Sequence, residues 1–162
     1  VNPPRLPIDL YSPDQLSVHI QGLRELLGKR RDAAIQSRIV GKGPGVPVLS
    51  LSPTMQSLLR LNNVKLENAN DLETLLKSLE QLRTTAPIVH LTFATLPNHT
   101  FAQQLTVWFR NQIHPQTLLR FVMKREIGGG MVLRAGSTIY DLSFRTQLLR
   151  HKDKITEIFG RV

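Results

Sequence analysis

Near Ala86 the apolar residues change their spacing, from one every three or four positions to one every second position. Upstream, Leu16, Ile20, Leu23 and Leu27 lie on one helical face, as do Met55, Leu58 and Leu59, and then Leu72, Leu75, Leu76, Leu79 and Leu82. Downstream, Val89, Leu91 and Phe93 share one side of a short β-rich run. Thr117–Lys124 alternates again, with Leu119, Phe121 and Met123 opposed to Leu118, Arg120 and Val122. A helix buries a stripe and a strand buries alternate side chains, so the two patterns call for different layers. The spacing predicts an α+β protein: an N-terminal helical segment over 1–84, then a small mixed β-sheet domain with flanking helices over 86–162.

Capping residues sharpen the helical half. Val1–Tyr11 holds three prolines and reads as an extended arm; Ser12-Pro13-Asp14-Gln15 then starts a helix with a capping box. Gly28 is a candidate break in it, and Lys29-Arg30-Arg31 reads as a solvated face. Gly41–Pro47 is glycine- and proline-rich, a mobile exposed linker. It lacks the GxxxxGK[ST] order of a phosphate loop. Ser52-Pro53 opens a second helix in which Leu61 also turns inward, and Asn62-Asn63 closes it. Asn70-Asp71-Leu72-Glu73 is a capping box for a third, ending at Thr84–Pro87.

In the second half the order reads β-α-β-β-β-α. Leu96-Pro97-Asn98 turns into a helix whose Phe101, Leu105, Trp108, Phe109 and Gln112 share a side, with Trp108 in the core, and His114-Pro115 stops it. Gly128-Gly129-Gly130 precedes a strand, Ala135-Gly136 returns a second one, and Asp141 or Ser143 caps a last helix that continues to Phe159. Leu75, Leu79, Leu91, Phe93, Leu105, Phe109, Val132 and Phe144 are expected to be buried.

Composition removes several chemistries. None of the 162 residues is cysteine, which excludes disulfides, thiolate metal sites and Cys nucleophiles. The five histidines form no i,i+3 or i,i+4 pair, GxSxG is absent, and Asp141, Ser143 and Glu126 sit where caps and turns account for them. No catalytic site, metal site or cofactor is expected. No apolar run reaches a membrane span and no signal peptide is legible at Val1–Leu10, so the reading is of a soluble intracellular protein. Lys and Arg number 21 against 12 Asp and Glu, an excess that suits an anionic partner. A basic nucleic-acid-binding domain is therefore the alternative. Against it, a long Gly/Pro loop separates the first two helices, unlike a helix-turn-helix, and Phe93 and Phe121 fall on core faces.

One constellation is more specific. Ile127-Gly128-Gly129-Gly130-Met131-Val132-Leu133-Arg134-Ala135-Gly136 runs on to Ile139-Tyr140-Asp141-Leu142-Ser143-Phe144-Arg145-Thr146-Gln147-Leu148. It resembles the C-terminal signature of the delta (OSCP-type) subunit of F-type ATP synthases. The matching positions are Ile127, Gly129, Gly130, Leu133, Arg134, Gly136, Asp141, Ser143 and Leu148. The resemblance spans Ala86 to about His151. Met123-Lys124-Arg125-Glu126 stands where the family usually has an acidic residue and a proline, and 12–84 offers three helices where the family has a six-helix bundle. The resemblance implies a non-catalytic connector of the stator stalk, with no small-molecule ligand. Its partners would be the b-subunit helices and the alpha subunits of the F1 head. Its place would be cytoplasmic, peripheral to the inner (plasma) membrane through the complex.

Overall fold

A computed structural model describes residues 3–40 and 51–150. The chain divides into two compact units, Val1–Ala86 and Pro87–Val162. The expected mobility of 41–47 and the continuation of the last helix to Phe159 lie outside the described residues.

The first unit holds three helices, α1 (Pro13–Val40), α2 (Pro53–Leu61) and α3 (Ala69–Thr85). The capping box at the start of α1 forms as the sequence predicts. The Gln15 N–H donates to Ser12 Oγ (3.1 Å), while Gln15 Oε1 accepts from the N–H groups of Ser12 (3.1 Å) and Tyr11 (3.0 Å). Gly28 does not break the helix, which runs through it. Ser52 caps α2 through the Met55 N–H. The α3 cap is Asn68, two residues earlier than expected, with its Oδ1 accepting from Asn70 and Asp71. Leu16, Leu23 and Leu27 of α1 and Leu72, Leu75, Leu79 and Leu82 of α3 are buried, together with Met55, Leu58 and Leu59, but Leu76 is half-buried and Leu61 is exposed. Part of the basic run on α1 reaches α3 and its approach: Arg31 pairs with Glu73 (2.6 Å) and Arg30 Nη2 donates to the Glu67 carbonyl (2.9 Å). Such exposed pairs set register more than stability. The proline arm is docked. Pro4, Pro7 and Leu10 are buried, and the Asn62 side-chain amide clasps the Arg5 backbone at both its N–H and its carbonyl.

The second unit follows the predicted order: β1 (Ile88–Phe93), α4 (His99–Gln112), β2 (Leu118–Met123), β3 (Gly130–Ala135), β4 (Thr138–Ser143) and α5 (Phe144–Arg150). The sheet is mixed, in the order β2-β1-β3-β4. β1 is parallel to β2 and antiparallel to β3, and β3 is antiparallel to β4. The parallel pair requires a crossover, and α4 supplies it. In register, Val89, Leu91 and Phe93 lie beside Leu119, Phe121 and Met123 on one side and beside Ala135, Leu133 and Met131 on the other. These residues form the helix-covered face, whose core is Val89, Leu91, Leu119 and Phe109 of α4.

Four of the eight expected core positions need correction. Leu75, Leu79, Leu91 and Phe109 are buried, but Phe93, Leu105 and Val132 are only half-buried and Phe144 is 57% exposed. Trp108, expected in the core, is 54% exposed, and Phe101 is exposed too. The cause in α4 is a rotation to the neighbouring stripe: Ala102, Thr106 and Phe109 face the sheet. Ala102 and Thr106 are buried beside Phe109, and the Thr106 hydroxyl donates to the Ala102 carbonyl (2.7 Å). Val132 lies on the sheet's other face, opposite Thr92. At the strand-to-helix junction Ser143, not Phe144, turns inward.

Candidate functional site

The glycine-rich segment and the hairpin behind it form a rigid corner. Arg125–Ile127 is a single 3-10 turn whose Ile127 is buried. Gly130 then has φ +72°, and a Cβ there would collide with the Leu142 backbone carbonyl of the partner strand. Only glycine allows the two strands to meet at this point. The hairpin closes through Gly136 and Ser137, with Gly136 at φ +60° and Ala135 paired to Thr138, the pattern of a type II′ turn. Arg134 Nε donates to the Gly136 carbonyl (3.3 Å), and half-buried Leu133 packs against the core.

The corner ends in a braced helix start. The Phe144 N–H donates to the Gly129 carbonyl (2.9 Å), tying α5 back to the glycine segment. Ser143 Oγ accepts from the Thr146 N–H (3.3 Å) and is the cap. Asp141 accepts from the Ser143 N–H (2.9 Å) and the Thr146 hydroxyl (2.8 Å). Those bonds, from Ser143 first and then Thr146, hold the Asp141 carboxyl below its ordinary 3.8, with Arg150 adding to the effect. Asp141 and Ser143 thus divide the capping role expected of either one. Leu148 lies within α5. Ser143→Ala is expected to cost about 1 kcal/mol, read from the thermal midpoint. Because the folded carboxyl is the stronger acid, its contribution is complete above the ordinary value and disappears as pH falls through the lowered one. The midpoint gap between the native chain and Asp141→Asn should therefore be constant near neutrality and close in acid.

The signature residues from Ile127 to Ser143 are brought together as a fold corner. Among the described residues no three His, Asp or Glu side chains cluster as metal ligands. His19 Nδ1 lies 2.8 Å from the Gln15 carbonyl, and His114 Nδ1 accepts from the Gln116 N–H.

Beside the corner, the helix-covered face leaves large apolar side chains exposed. On the helix-covered face β4 carries Tyr140 and Leu142, opposite Leu133 and Met131, and these two are 58% and 48% exposed. Arg110 Nε donates to the Thr117 carbonyl at the foot of β2 (3.4 Å), which turns that flank of α4 toward β2. Burial of the Arg110 guanidinium lowers its pKa to about 10, so it remains charged at neutral pH. The stripe of Phe101, Leu105 and Trp108 lies on the other flank of α4 from Arg110. Phe101 meets Phe93 edge-on (6.3 Å) and Trp108 meets Phe109 edge-on (4.9 Å). Exposed Phe101 and Trp108 on α4, exposed Tyr140 and Leu142 on β4 and half-buried Met131 and Leu133 on β3 are the apolar surface termed the trough. The sequence reading missed it, although aromatics at 101 and 108 flanking small residues at 102 and 106 were a usable signal.

A family model described as the ATP synthase delta (OSCP) subunit matches residues 50–155. The chain belongs to the ATP synthase delta (OSCP) subunit family. No curated protein matches it. The delta match begins well upstream of Ala86, so it takes in α2 and α3 as well as the sheet unit. Membership makes the chain kin to a stator-stalk subunit of ATP synthase, a structural and not a catalytic part. No helix among the described residues is long and apolar enough to cross a membrane.

Proposed function

We propose that this chain is a connector of the peripheral stalk, joining the F1 head to the b-subunit helices so that the head stays still while the rotor turns. Its Pro87–Val162 unit acts as the delta-type C-terminal domain. The Val1–Ala86 helices stand in the place of the family's N-terminal bundle and meet the alpha subunits. The protein works on the cytoplasmic side, peripheral to the membrane.

The observation that carries this reading is the trough. Exposed aromatic and aliphatic side chains on a stiff sheet-and-helix frame suit the apolar stripe of an incoming helix, which b provides. Trp108 and Tyr140 are of the residue types that dominate such interfaces. The test is titration of the full chain with the C-terminal helix of the b-type subunit from the same genome. Trp108→Ala is expected to weaken binding about 10–30-fold while moving the thermal midpoint by no more than about 3 °C, because the side chain is largely solvated. Absence of binding by the native chain would end the proposal. Binding unchanged in Trp108→Ala and in Leu142→Glu would remove the trough from it.

A further inference from the structure

β4 is an edge strand without the usual guards. It ends the sheet order and pairs with β3 alone. Edges are commonly protected by lysine, proline or a bulge. Thr138-Ile139-Tyr140-Asp141-Leu142-Ser143 contains neither lysine nor proline, and its register with β3 is unbroken from Thr138 to Ser143. Thr, Ile and Tyr also favour extended backbone.

The phase of the ladder fixes which backbone groups of β4 point outward. Ala135 and Thr138 close the two-residue turn as a pair, and at the other end the Phe144 N–H reaches the Gly129 carbonyl (2.9 Å). The even-numbered residues of β4 therefore bond to β3, and the N–H and C=O groups of Ile139, Asp141 and Ser143 point away from it. Asp141 Oδ1 already holds the Ser143 N–H (2.9 Å). The main-chain N–H and C=O of Ile139 and Asp141 have no partner among the described residues. Two complete rungs stand open.

We infer that β4 is a self-docking edge, on which a second copy of this chain lays its own β4 antiparallel about a two-fold axis through Tyr140. Charge and the open rungs set that register. With the axis at Tyr140, Ile139 meets Asp141 of the second copy and Asp141 meets its Ile139, so four hydrogen bonds close both rungs. An axis at Asp141 would set two carboxylates face to face, and an axis at Ile139 would set Asp141 against Ser137 of the turn. The Tyr140 axis keeps the carboxylates diagonal to one another. It also places Asp141 of the second copy in the row of Ile139 and Arg134, two strands or about 10 Å from the arginine. On the other side of the sheet tyrosine meets tyrosine and Leu142 meets Thr138, which covers side chains exposed in the single chain. Six residues a side is far below the roughly 20–30 of a standard interface, so association is weak, with a dissociation constant on the order of 100 μM. The inference is independent of what fills the trough.

Sedimentation of the full chain from about 5 μM to about 1 mM is expected to show a reversible monomer–dimer equilibrium. Ile139→Pro removes an outward N–H without touching a bond to β3, and is expected to weaken association by about tenfold or more. Tyr140→Lys and Tyr140→Glu each put like charges face to face at the axis. Each alone should lose dimer to the same extent, while their equimolar mixture should dimerise at least as well as the native chain. Urea unfolding followed by Trp108 fluorescence checks that every variant is folded, and the lysine–glutamate mixture decides the matter should Ile139→Pro fail to fold. Ile113→Lys, at an exposed apolar site just past α4, is the control and should leave the equilibrium unchanged. The inference is overturned by a native chain that stays monomeric throughout, by association beyond the dimer, by a mixture that stays monomeric, or by losses no greater in the β4 variants than in the control.

Discussion

Phe109→Ala is expected to unfold much of the sheet unit at moderate temperature. Phe109 is 2% exposed and is the side chain by which α4 enters the core with Val89, Leu91 and Leu119. Removing a buried phenyl ring costs about 3–5 kcal/mol, through lost transfer energy and an unfilled cavity. At about 0.05–0.15 kcal/mol per residue, a unit of this size has roughly 4–11 kcal/mol to lose. The midpoint should fall by about 15 °C or more. The lone Trp108 packs against Phe109, so its fluorescence reports this unit selectively in urea or heat. A midpoint within a few degrees of the native one would mean that α4 does not seat on the sheet through Phe109.

Gly130→Ala is expected to cost on the order of 3 kcal/mol, and Gly136→Ala about 1–2 kcal/mol. Both glycines hold a positive φ, so both substitutions carry the penalty of a side chain in the left-handed region. At Gly136 the new methyl meets open space. At Gly130 it strikes the backbone of Leu142 and Ser143, which cannot yield without separating β3 from β4. The difference between the two variants isolates that collision. It is measured as the gap between their urea midpoints in the full chain. Equal losses would show that the strands do not approach as closely as described.

The glycine corner and α4 show what the sequence could and could not convey. The corner was legible because its cause is local: backbone geometry that only glycine adopts, a two-residue turn and a cap all leave marks in adjacent residues. The facing of α4 was not. Two overlapping stripes compete there, an aromatic one through Phe101, Leu105 and Trp108 and a smaller one through Ala102, Thr106 and Phe109. Hydrophobicity favours the first, but the second is the one buried, and which stripe a sheet accepts is a tertiary property. The trough went unseen for the same reason. Asn68 and Asn70 likewise offered two capping frames of nearly equal merit. The delta relationship of α2 and α3 left no short motif at all, and only the family match revealed it.

The strand order has a consequence for synthesis. β1 is central in the sheet yet first of its strands to be made, and its antiparallel partner is complete only at Ala135, 42 residues after Phe93. At roughly 5–20 residues per second, a ribosome takes about two to eight seconds to cover that distance. Until Met123 is made, Val89, Leu91 and Phe93 lack both of the strands that will flank them, and from there to Ala135 they lack one. The nascent chain therefore passes through a window in which chaperone capture or misassociation competes with completion of the sheet.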